Sequence, residues 1–508
     1  MSGNKETVLA IDYGSSNSVA YLRKNGHFAI VNDDMNAGAV TFPSLVMYNG
    51  DRVFTCNLAK KKRVNERQGY FVSCVKRLIG LTYNEYLELP DRDIFGCPVV
   101  KGNDGYPRFI VSEGRKQKDC IEVASEIFKN IKSEAERMND RRSIKNCYVT
   151  VPANYQETQR RAIMMAAEKA GMKVNSFFIE PTAAAMSWCH SHADKVEEGD
   201  IILVLDFGGG TLDLSLLRSQ GDSRFKVIRT DGNPRLGGKD VDREVANVVC
   251  ERLGRDFGSF PAREQRRLLE QCEEVKIALG TQKSADVSME EVNPNYDNDI
   301  TLEQKDLAKI LDDLFIPRID TCVDRILQDF DSKISFVLMV GGSSRLYSID
   351  THMRRLFPNA LFPVLDPESS VAEGALVMAC TDFKPTECLN FSYGLLTSTD
   401  EVVMMLSKGT ELPCTSRSRE FQRTDHTRYI ISSVYQWNGS YREGTMCRKP
   451  VSECILVADY EFKDRLRMCG NATYHITFSA KEGGLLVVDC RDEKGKVLNQ
   501  SNYSGLLQ

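Results

Sequence analysis

Residues 201–217 read IILVLDFGGGTLDLSLL, which is an apolar run, an aspartate, three glycines and a second apolar run. This pattern predicts two strands joined by a glycine turn, with Asp206 close to the end of the first strand. A strand that ends at such a turn leaves backbone N–H groups pointing outward, and these groups form a concave site for an anion. Glycine is needed at Gly208, Gly209 and Gly210, because a Cβ would block close approach of the backbone.

The same local design occurs 194 positions earlier, as the spacing from Asp12 to Asp206 shows. Residues 8–22 read VLAIDYGSSNSVAYL, and a third apolar strand that ends in glycines, VLMVGGSSR, covers residues 337–345. A single glycine hairpin is more often a turn with nothing bound. Two such turns can hold one triphosphate from both sides, with the aspartates holding the water ligands of a Mg²⁺ ion. The pair of turns therefore favours a nucleotide site.

The composition argues against several other classes of protein. The chain has 508 residues, of which 42% are hydrophobic and 27% are charged, which is typical of a globular protein of roughly three domains or subdomains. The formal net charge of -5 and the lack of a basic stripe argue against a nucleic-acid partner. No two of the 16 cysteines have C-x-x-C spacing, so a zinc site is not expected. The polar start and short aliphatic runs predict neither a signal peptide nor a membrane segment, and we expect a cytoplasmic, or also nuclear, protein.

Two regions of different composition are visible along the chain. Apolar strands alternate with segments of helical period, such as 121–138 and 158–171, up to about residue 382; this alternation predicts an α/β body of two related halves. Beyond Cys380 alanines are few, and short runs of β character recur at 401–406, 429–437, 455–462, 474–479 and 485–490. We therefore predict a nucleotide-binding domain, a linker and an all-β sandwich domain, over residues 1–382, 383–393 and 394–508.

Eight motifs carry a resemblance to a known family. They are IDYGSSNS (11–18), VKRLIG (75–80), VTVPANYQETQRRA (149–162), IEPTAAA (179–185), LDFGGGTLDLS (205–215), LGGKDVD (236–242), VGGSSR (340–345) and DPESSVAEGA (366–375). In this order and spacing the chain resembles the heat-shock protein 70 chaperone family, strongly up to residue 382 and weakly beyond residue 386. The resemblance implies an α/β fold: an actin/hexokinase-like ATPase domain of two related lobes, followed by a smaller all-β sandwich domain.

The resemblance also implies catalytic roles for five residues. Lys76 matches the lysine that touches the γ-phosphate and the attacking water, whereas without the family it would be read as a surface lysine. Glu180 matches a glutamate that orders water around the metal together with Asp12 and Asp206; the alternative for Glu180 is an acid that only favours a helix N-terminus. Thr211 matches a hydroxyl near the γ-phosphate. The metal would be held by Asp12, Asp206 and Glu180 through water.

Further matches concern the cofactor. The resemblance implies that it is ATP or ADP with Mg²⁺, and that K⁺ is a further bound ion. Serines stand at two positions of the first hairpin where the family commonly has threonines, which keeps both hydroxyls. Glu368 stands in place of an aspartate near the ribose. The residues that match nucleotide contacts are Gly14, Ser15, Ser16, Gly208, Gly209, Gly210, Thr211, Gly237, Gly238, Glu273, Lys276, Gly341, Gly342, Ser343, Arg345 and Glu368.

The parts that couple the two domains depart from the family. Pro152 and Arg160 match the relay between the domains, but the linker has Phe383, Lys384, Pro385 and Thr386 where the family has a run of leucines. Thr399 and the charged residues Asp400 and Glu401 stand where the family has small and apolar residues in the peptide-clamping loop, whereas Ile430 and Ile431 would still form an apolar wall. The family continues into a helical lid beyond the position of Gln508, so we expect a lidless member with fast peptide release.

These observations lead to three hypotheses about function. The first is an ATP-dependent molecular chaperone or co-chaperone, which hydrolyses ATP slowly and binds unfolded polypeptide. The resemblance implies J-domain co-chaperones and nucleotide exchange factors as its partners. Neither a nucleic acid nor a membrane is expected as a partner. The second is an ATP-bound scaffold that hydrolyses weakly or not at all and acts through a partner chaperone or the ribosome. The third is a sugar or glycerol kinase of the same fold, against which the β region argues.

Overall fold

The computed structural model describes residues 7–504 except 66–68, 90–91, 223, 297, 384, 424–428, 442–445, 464–471, 482–485 and 499. The chain groups into two units. Unit 1 contains the residues up to 154 and residues 166–385, and unit 2 contains residues 155–165 and the residues from 386 onward. The assignment of functional domains to residues 1–382 and 394–508 stays a prediction.

Unit 1 contains the strands that carry the glycine motifs. In chain order its strands are β1 (Val8–Asp12), β2 (Asn17–Lys24), β3 (His27–Ile30), β4 (Phe42–Pro43), β5 (Leu45–Asn49), β6 (Arg52–Thr55), β7 (Tyr70–Ser73), β8 (Val99–Lys101), β9 (Pro107–Ile110), β10 (Gln117–Asp119), β11 (Asn146–Val151), β12 (Lys173–Ile179), β13 (Ile201–Phe207), β14 (Leu212–Ser219), β15 (Phe225–Asn233), β16 (Ser284–Val287), β17 (Ile300–Glu303) and β18 (Phe336–Val340).

The helices follow the predicted alternation with the strands. They are α1 (Cys56–Asn65), α2 (Tyr83–Leu87), α3 (Cys120–Met138), α4 (Glu157–Lys169), α5 (Glu180–Ser191), α6 (Gly238–Arg252), α7 (Ala262–Leu279), α8 (Met289–Val292), α9 (Gln304–Ile310), α10 (Ile316–Leu327), α11 (Tyr347–Leu356) and α12 (Ser370–Cys380), with a π-helical turn at Leu311–Phe315 between α9 and α10. The helical periods read at 121–138 and 158–171 correspond to α3 and α4, which differ from these ranges by only one or two residues at an end.

Two sheets of unit 1 repeat one topology. The first has the order β12-β11-β1-β2-β3, with β4 beside β2, and the second has the order β15-β14-β13-β18. In each sheet an antiparallel hairpin, β1–β2 or β13–β14, has a parallel strand on its other side, β11 or β18. Parallel neighbours place the ends of β1 and β11, and of β13 and β18, at one edge of each sheet. Asp12 and Asp206 lie at these edges.

Helices α5 and α12 share one hydrophobic core with both sheets. Ala10 of β1, Val204 of β13 and the alanines of α5 belong to the same buried cluster. The two helices cross very closely, because a Cβ on Gly374 of α12 would lie 1.7 Å from the carbonyl oxygen of Ala183 in α5. Only glycine permits this crossing. It fixes the direction of α5, whose first residue is Glu180.

The remaining strands of unit 1 form small antiparallel sheets, with the orders β10-β9-β8, β6-β5-β7 and β16-β17. The chain leaves unit 1 through the predicted linker, where Phe383 to Thr386 stand in place of the family's leucines. The ring of Phe383 in this segment nevertheless packs within unit 1, with its centroid 5.5 Å from those of His190 and Phe225. Lys384 lies outside the described residues.

The strands of unit 2 are antiparallel throughout the pairs that the structure describes. They are β19 (Ser392–Leu396), β20 (Glu401–Leu406), β21 (Cys414–Thr415), β22 (Arg419–Arg423), β23 (Tyr429–Trp437), β24 (Arg448–Pro450), β25 (Ile455–Lys463), β26 (Ala472–Ala480), β27 (Leu486–Asp492) and β28 (Gln500–Ser504). One sheet has the order β24-β20-β19-β23-β25-β28, and the other has the order β21-β26-β22 with β27 beside β26. Leu395, Tyr460 and Ile476, from both sheets, share one buried cluster.

The five β runs predicted from sequence correspond to β20, β23, β25, β26 and β27. The structure adds other strands that the pattern did not indicate, among them β22, whose sequence REFQR is mostly polar. Such a strand takes its conformation from pairing with its neighbour β26 rather than from its own apolar alternation.

Candidate functional site

A cavity of about 430 Å³ opens in unit 1 where the motif-bearing segments meet. The ends of β1, β13 and β18, the start of α5 and the end of α7 contribute to its wall. The predicted site residues that line it are Asp12, Gly14, Ser15, Ser16, Lys76, Glu180, Asp206, Gly208, Gly209, Gly210, Thr211, Gly238, Glu273, Lys276, Gly341, Gly342, Ser343, Arg345 and Glu368.

The two glycine hairpins touch each other at the centre of the site. A Cβ on Gly209 would lie 2.2 Å from Oγ of Ser16, and a Cβ on Gly210 would lie 2.5 Å from Oγ of Ser15. Both distances are far below van der Waals contact, so only glycine allows the second hairpin to reach the serines of the first. The hairpins therefore form a joint cradle of backbone and hydroxyl groups, which is the geometry that binds phosphate.

A third turn supports this cradle from behind. The backbone N–H groups of Gly238 and Lys239 donate to the carbonyl oxygens of Gly208 and Gly209, both at 2.9 Å. A Cβ on Gly237 would lie 2.6 Å from the backbone of Gly210. Gly237 is thus a packing residue beneath the second hairpin and does not line the cavity.

Carboxylates converge at the floor of the cavity. Glu180, Asp206 and Asp213 are buried, and Asp12 accepts a hydrogen bond of 2.9 Å from Oγ1 of Thr150. Burial raises the pKa of Asp206 to about 8, and the nearby carboxylates of Asp213 and Asp12 add to the rise. Burial likewise raises the pKa of Asp213 to about 6 and that of Glu180 well above its usual range.

Lys76 lies within this group of carboxylates. Its Nζ is 2.6 Å from Oε1 of Glu180, and the two side chains are 5% and 6% exposed. Burial lowers the pKa of Lys76, but the carboxylates of Glu180 and Asp12 outweigh this effect and raise it. The surface-lysine interpretation is therefore wrong for Lys76. Glu180 is both the first residue of α5 and a cavity residue, so its position fits both sequence interpretations, and its role toward the metal stays a prediction.

The donor set of the floor fits a hydrated divalent cation. Several buried carboxylates face one lysine, and the excess negative charge and the oxygen donors are what Mg²⁺ requires. Among the described residues no group of three or more His, Cys, Asp or Glu side chains is close enough to hold a metal ion directly. An ion held through its water ligands by Asp12, Asp206 and Glu180 stays a prediction.

A second cluster of charges lies where α6 and α7 meet. Nζ of Lys239 is 2.6 Å from Oε2 of Glu273 and 3.5 Å from Oδ2 of Asp242, and Nζ of Lys276 is 2.7 Å from Oδ1 of Asp242. Burial alone raises the pKa of Glu273, but Lys239 and Lys276 lower it to about 2. Lys239 and Asp242 were not predicted from the sequence as members of the site, although both belong to the motif LGGKDVD.

The loop after β18 forms another wall. Gly341 has a φ of +79°, and a Cβ there would lie 2.5 Å from the carbonyl oxygen of Phe207. Oγ of Ser343 donates to the carbonyl oxygen of Gly208 at 3.0 Å, which ties this loop to the second hairpin. The guanidinium of Arg345 is 3.4 Å from Oδ1 of Asp366.

The other predicted residues lie away from the cavity lining. Pro152 belongs to unit 1, whereas Arg160 is buried in the segment of unit 2 that includes Tyr155, to whose carbonyl oxygen it donates. Ile430 and Ile431 are on strand β23, but their side chains lie outside the described part of the structure.

The fold and the cavity define an α/β protein in which two related sheets contribute to one cavity, with a glycine cradle suited to phosphate. The sequence model of the family described as Hsp70 protein matches residues 8–500. Since this match covers nearly the whole chain, the chain belongs to the Hsp70 family. Membership implies the actin/hexokinase-like ATPase fold and the binding of a nucleotide with Mg²⁺.

One relative is the protein named heat shock 70 kDa protein 7, chloroplastic, from Arabidopsis thaliana. It is 30% identical to this chain over 437 residues, which are 82% of this chain and 58% of the relative. The match thus spans less than two thirds of the relative's length. None of the helices in the described ranges has the length and apolar composition needed to cross a membrane.

Proposed function

We propose that this chain is an ATP-dependent molecular chaperone or co-chaperone of the Hsp70 type, which binds and slowly hydrolyses ATP in the unit 1 cavity to control the binding of unfolded polypeptide. The observation that carries the proposal is the cradle formed by Gly209 and Gly210 against Ser16 and Ser15, in a cavity that buried carboxylates and Lys76 also line. A triphosphate, a divalent cation and a water molecule are the ligands that such a group suits.

The residues of the cavity have separable roles in this reaction. The backbone N–H groups of the two hairpins hold the phosphates. Lys76 supplies positive charge where negative charge develops on the transferred phosphoryl group, in a position shielded from water. Thr211 places its own hydroxyl group at the end of the cavity that holds the γ-phosphate. Asp12, Asp206 and Glu180 would hold Mg²⁺ through water, and the ion would supply charge neutralisation to the phosphates.

Glu180 also positions Lys76. Their 2.6 Å ion pair holds the ammonium inside the cavity, and a carboxylate oxygen of Glu180 would accept a hydrogen bond from a water molecule aligned for attack on the γ-phosphate. Catalysis here is mainly positioning together with electrostatic stabilisation, as is general for phosphoryl transfer.

The wider setting is part of the same proposal. Unfolded polypeptide as ligand, J-domain co-chaperones and nucleotide exchange factors as partners, and a bound K⁺ ion are proposed from the family. A cytoplasmic, or also nuclear, location is proposed from the polar start and the short aliphatic runs of the sequence. The proposed peptide wall at Ile430 and Ile431 and the relay through Pro152 and Arg160 belong here as well.

A second candidate is a nucleotide-bound scaffold with little or no turnover. The Lys76–Glu180 ion pair favours it, because a lysine already neutralised by a buried carboxylate has less charge to offer a transition state. In this case the chain would act through a partner such as another chaperone or the ribosome.

Single-turnover ATP hydrolysis by the purified chain distinguishes the two candidates. Turnover that rises on addition of an unfolded peptide and a J-domain fragment supports the chaperone, and it should fall at least 100-fold in Lys76→Ala. A matched control is Lys309→Ala, which removes a lysine that is 78% exposed and should leave turnover unchanged. Tight ATP binding without stimulated turnover would instead support the scaffold.

A further inference from the structure

Strand β11 runs beside strand β1 at the floor of the cavity. The two strands are parallel, and their register places Thr150 opposite Asp12. Thr150 stands in the motif VTVPANYQETQRRA, at a position to which the sequence alone assigned no role. The residue is 1% exposed and does not line the cavity, whereas Asp12 does. Any effect of Thr150 on a ligand must therefore pass through another residue.

The hydroxyl of Thr150 is bonded to a carboxylate of the floor. Its Oγ1 donates to Oδ1 of Asp12 at 2.9 Å, which is an ordinary distance for a hydroxyl donor. A bond to one oxygen restricts rotation of the carboxylate group, and it leaves lone pairs on both oxygens for water molecules. The bond thus fixes an orientation of Asp12 without using up its capacity to accept hydrogen bonds.

A second group attracts the same carboxylate. The ammonium of Lys76 is close enough to Asp12 for an electrostatic interaction, and it is already paired with Glu180 at 2.6 Å. A carboxylate that turned fully toward Lys76 would form another ion pair and would lose its alignment with the water ligands of a cation. The hydrogen bond from Thr150 opposes this rotation, because a bond to an ionised acceptor is among the stronger ones.

The second half of unit 1 has a different residue at the equivalent position. Strand β18 lies parallel to β13 as β11 lies parallel to β1, and its register places Val340 opposite Asp206. Valine has the branched shape of threonine without the hydroxyl. Packing beside the aspartate therefore does not by itself require a hydroxyl, and Thr150 adds a specific interaction with Asp12.

The same end of β11 holds another carboxylate of the floor. The strand ends at Val151, and the backbone N–H of Ala153 donates to Oδ1 of Asp213 at 3.1 Å. The segment thus orients Asp213 through its backbone and Asp12 through a side chain. Only the contact with Asp12 can be removed by a substitution that leaves the backbone unchanged.

From this geometry we infer that Thr150 is a positioning residue, which holds the carboxylate of Asp12 in the orientation that binds the water ligands of the Mg²⁺ ion accompanying the nucleotide. The inference rests on the proposed function and adds a residue to its site. Because Thr150 acts through Asp12, its hydroxyl should matter for nucleotide binding when the divalent cation is present and not when it is absent.

Isothermal titration of the full chain with ATP, in Mg²⁺ and in excess EDTA, tests this inference. Thr150→Val removes the hydroxyl and keeps the branched shape. The dissociation constant of ATP should rise about tenfold in Mg²⁺, as for the loss of a partner that orients a metal ligand, and should stay within threefold in EDTA. A rise of less than threefold in Mg²⁺, or a change of threefold or more in EDTA, would overturn the inference.

Further variants separate the hydroxyl from the shape of the side chain. Thr150→Ser keeps a hydroxyl and should bind ATP in Mg²⁺ within threefold of the unmodified chain; a larger loss would overturn the inference. In an Asp12→Asn background, Thr150→Val should change the dissociation constant less than threefold, since the residue it positions is already altered. If circular dichroism shows that Thr150→Val is unfolded, Thr150→Cys replaces it, because a thiol is a weak donor, and a loss of at least threefold in Mg²⁺ is expected.

Thr301→Val is the matched control. Thr301 donates to Oδ1 of Asp286 at 2.6 Å, and the two residues are opposite each other in strands β17 and β16, but both are exposed. Its loss should leave both dissociation constants unchanged. If the unmodified chain binds ATP in neither condition, the proposed function itself fails. If it binds ATP and Thr150→Val binds equally well in Mg²⁺, only the inference fails.

Discussion

Nζ of Lys76 lies 2.6 Å from Oε1 of Glu180, although the two residues are 104 positions apart in the sequence. Both side chains are buried, with exposed fractions of only 5% and 6%. The ion pair joins the short helical turn after β7 to the first residue of α5. A buried pair of this kind contributes little net stability, but the loss of one partner leaves an uncompensated charge.

Lys76→Met should therefore lower the free energy of unfolding by about 3 kcal/mol, the cost of leaving a buried carboxylate without its partner. Adding Glu180→Gln should recover most of this loss, because the remaining charge is then removed. Urea unfolding followed by fluorescence of Trp188, which lies in α5, measures both effects in a Trp437→Phe background. Additive losses in the double variant would contradict the coupling.

An exposed pair provides the control for this cycle. Lys309 and Asp313 have the same 2.6 Å separation, but their side chains are 78% and 56% exposed. Lys309→Met and Asp313→Asn should each leave the unfolding transition almost unchanged, because solvent screens the interaction.

The contact between the hairpins predicts a severe effect of one added methyl group. Gly209→Ala places a Cβ 2.2 Å from Oγ of Ser16, so the second hairpin must move and ATP affinity should fall at least tenfold. Combining it with Ser16→Gly should restore part of the affinity, since the atom in conflict is removed. Equilibrium dialysis with labelled ATP measures both.

Gly258→Ala is the matched control, because a Cβ there has no neighbour within 4 Å. It should bind ATP like the unmodified chain. Equal losses in Gly209→Ala and Gly258→Ala would show that the hairpin contact is not the cause.

The raised pKa of Asp206 predicts a pH-dependent uptake of the magnesium nucleotide. Burial raises this pKa to about 8, so at pH 7 the carboxyl group holds a proton that must leave when a cation is bound. Affinity for Mg²⁺ and ATP should rise between pH 6 and pH 8, with about one proton released at pH 7. Titrations in buffers of different ionisation enthalpy give the proton count, and Asp206→Asn should lower it by about one.

The same shift has an opposite consequence for the chain without ligands. A carboxyl group with a folded-state pKa above its unfolded value binds its proton more tightly in the folded state, so its contribution to stability is present at low pH and is lost as the pH rises through about 8. Asp206→Asn should therefore make the unfolding midpoint less sensitive to pH between 5 and 8. An unchanged slope would contradict the assignment.

Lys239 should matter for nucleotide binding although the sequence did not single it out. Its 2.6 Å contact holds the carboxylate of Glu273 at the cavity wall. Lys239→Met should raise the dissociation constant of ATP about fivefold, because that carboxylate is then no longer held in place. Lys305→Met is the control, because the Lys305–Glu303 pair has the same 2.6 Å distance at 76% and 53% exposure. Equal affinity in both variants would contradict the role of Lys239.

Local patterns in the sequence were sufficient for the strands and turns of the site. The apolar runs before Asp12 and Asp206 correspond to β1 and β13, since apolar strands bounded by glycine follow from backbone preferences that act over a few residues. The order of the eight motifs indicated the family, which the comparison of residues 8–500 shows.

The motifs in the sequence thus indicated that Gly209, Lys76 and Lys239 belong to a phosphate-binding protein. The contact of Gly209 with Ser16, and the pairing of Lys76 with Glu180 and of Lys239 with Glu273, became visible in the folded chain. The reason is physical: such contacts join residues far apart in the chain, and they depend on how sheets and helices pack around a common core, which no local period encodes.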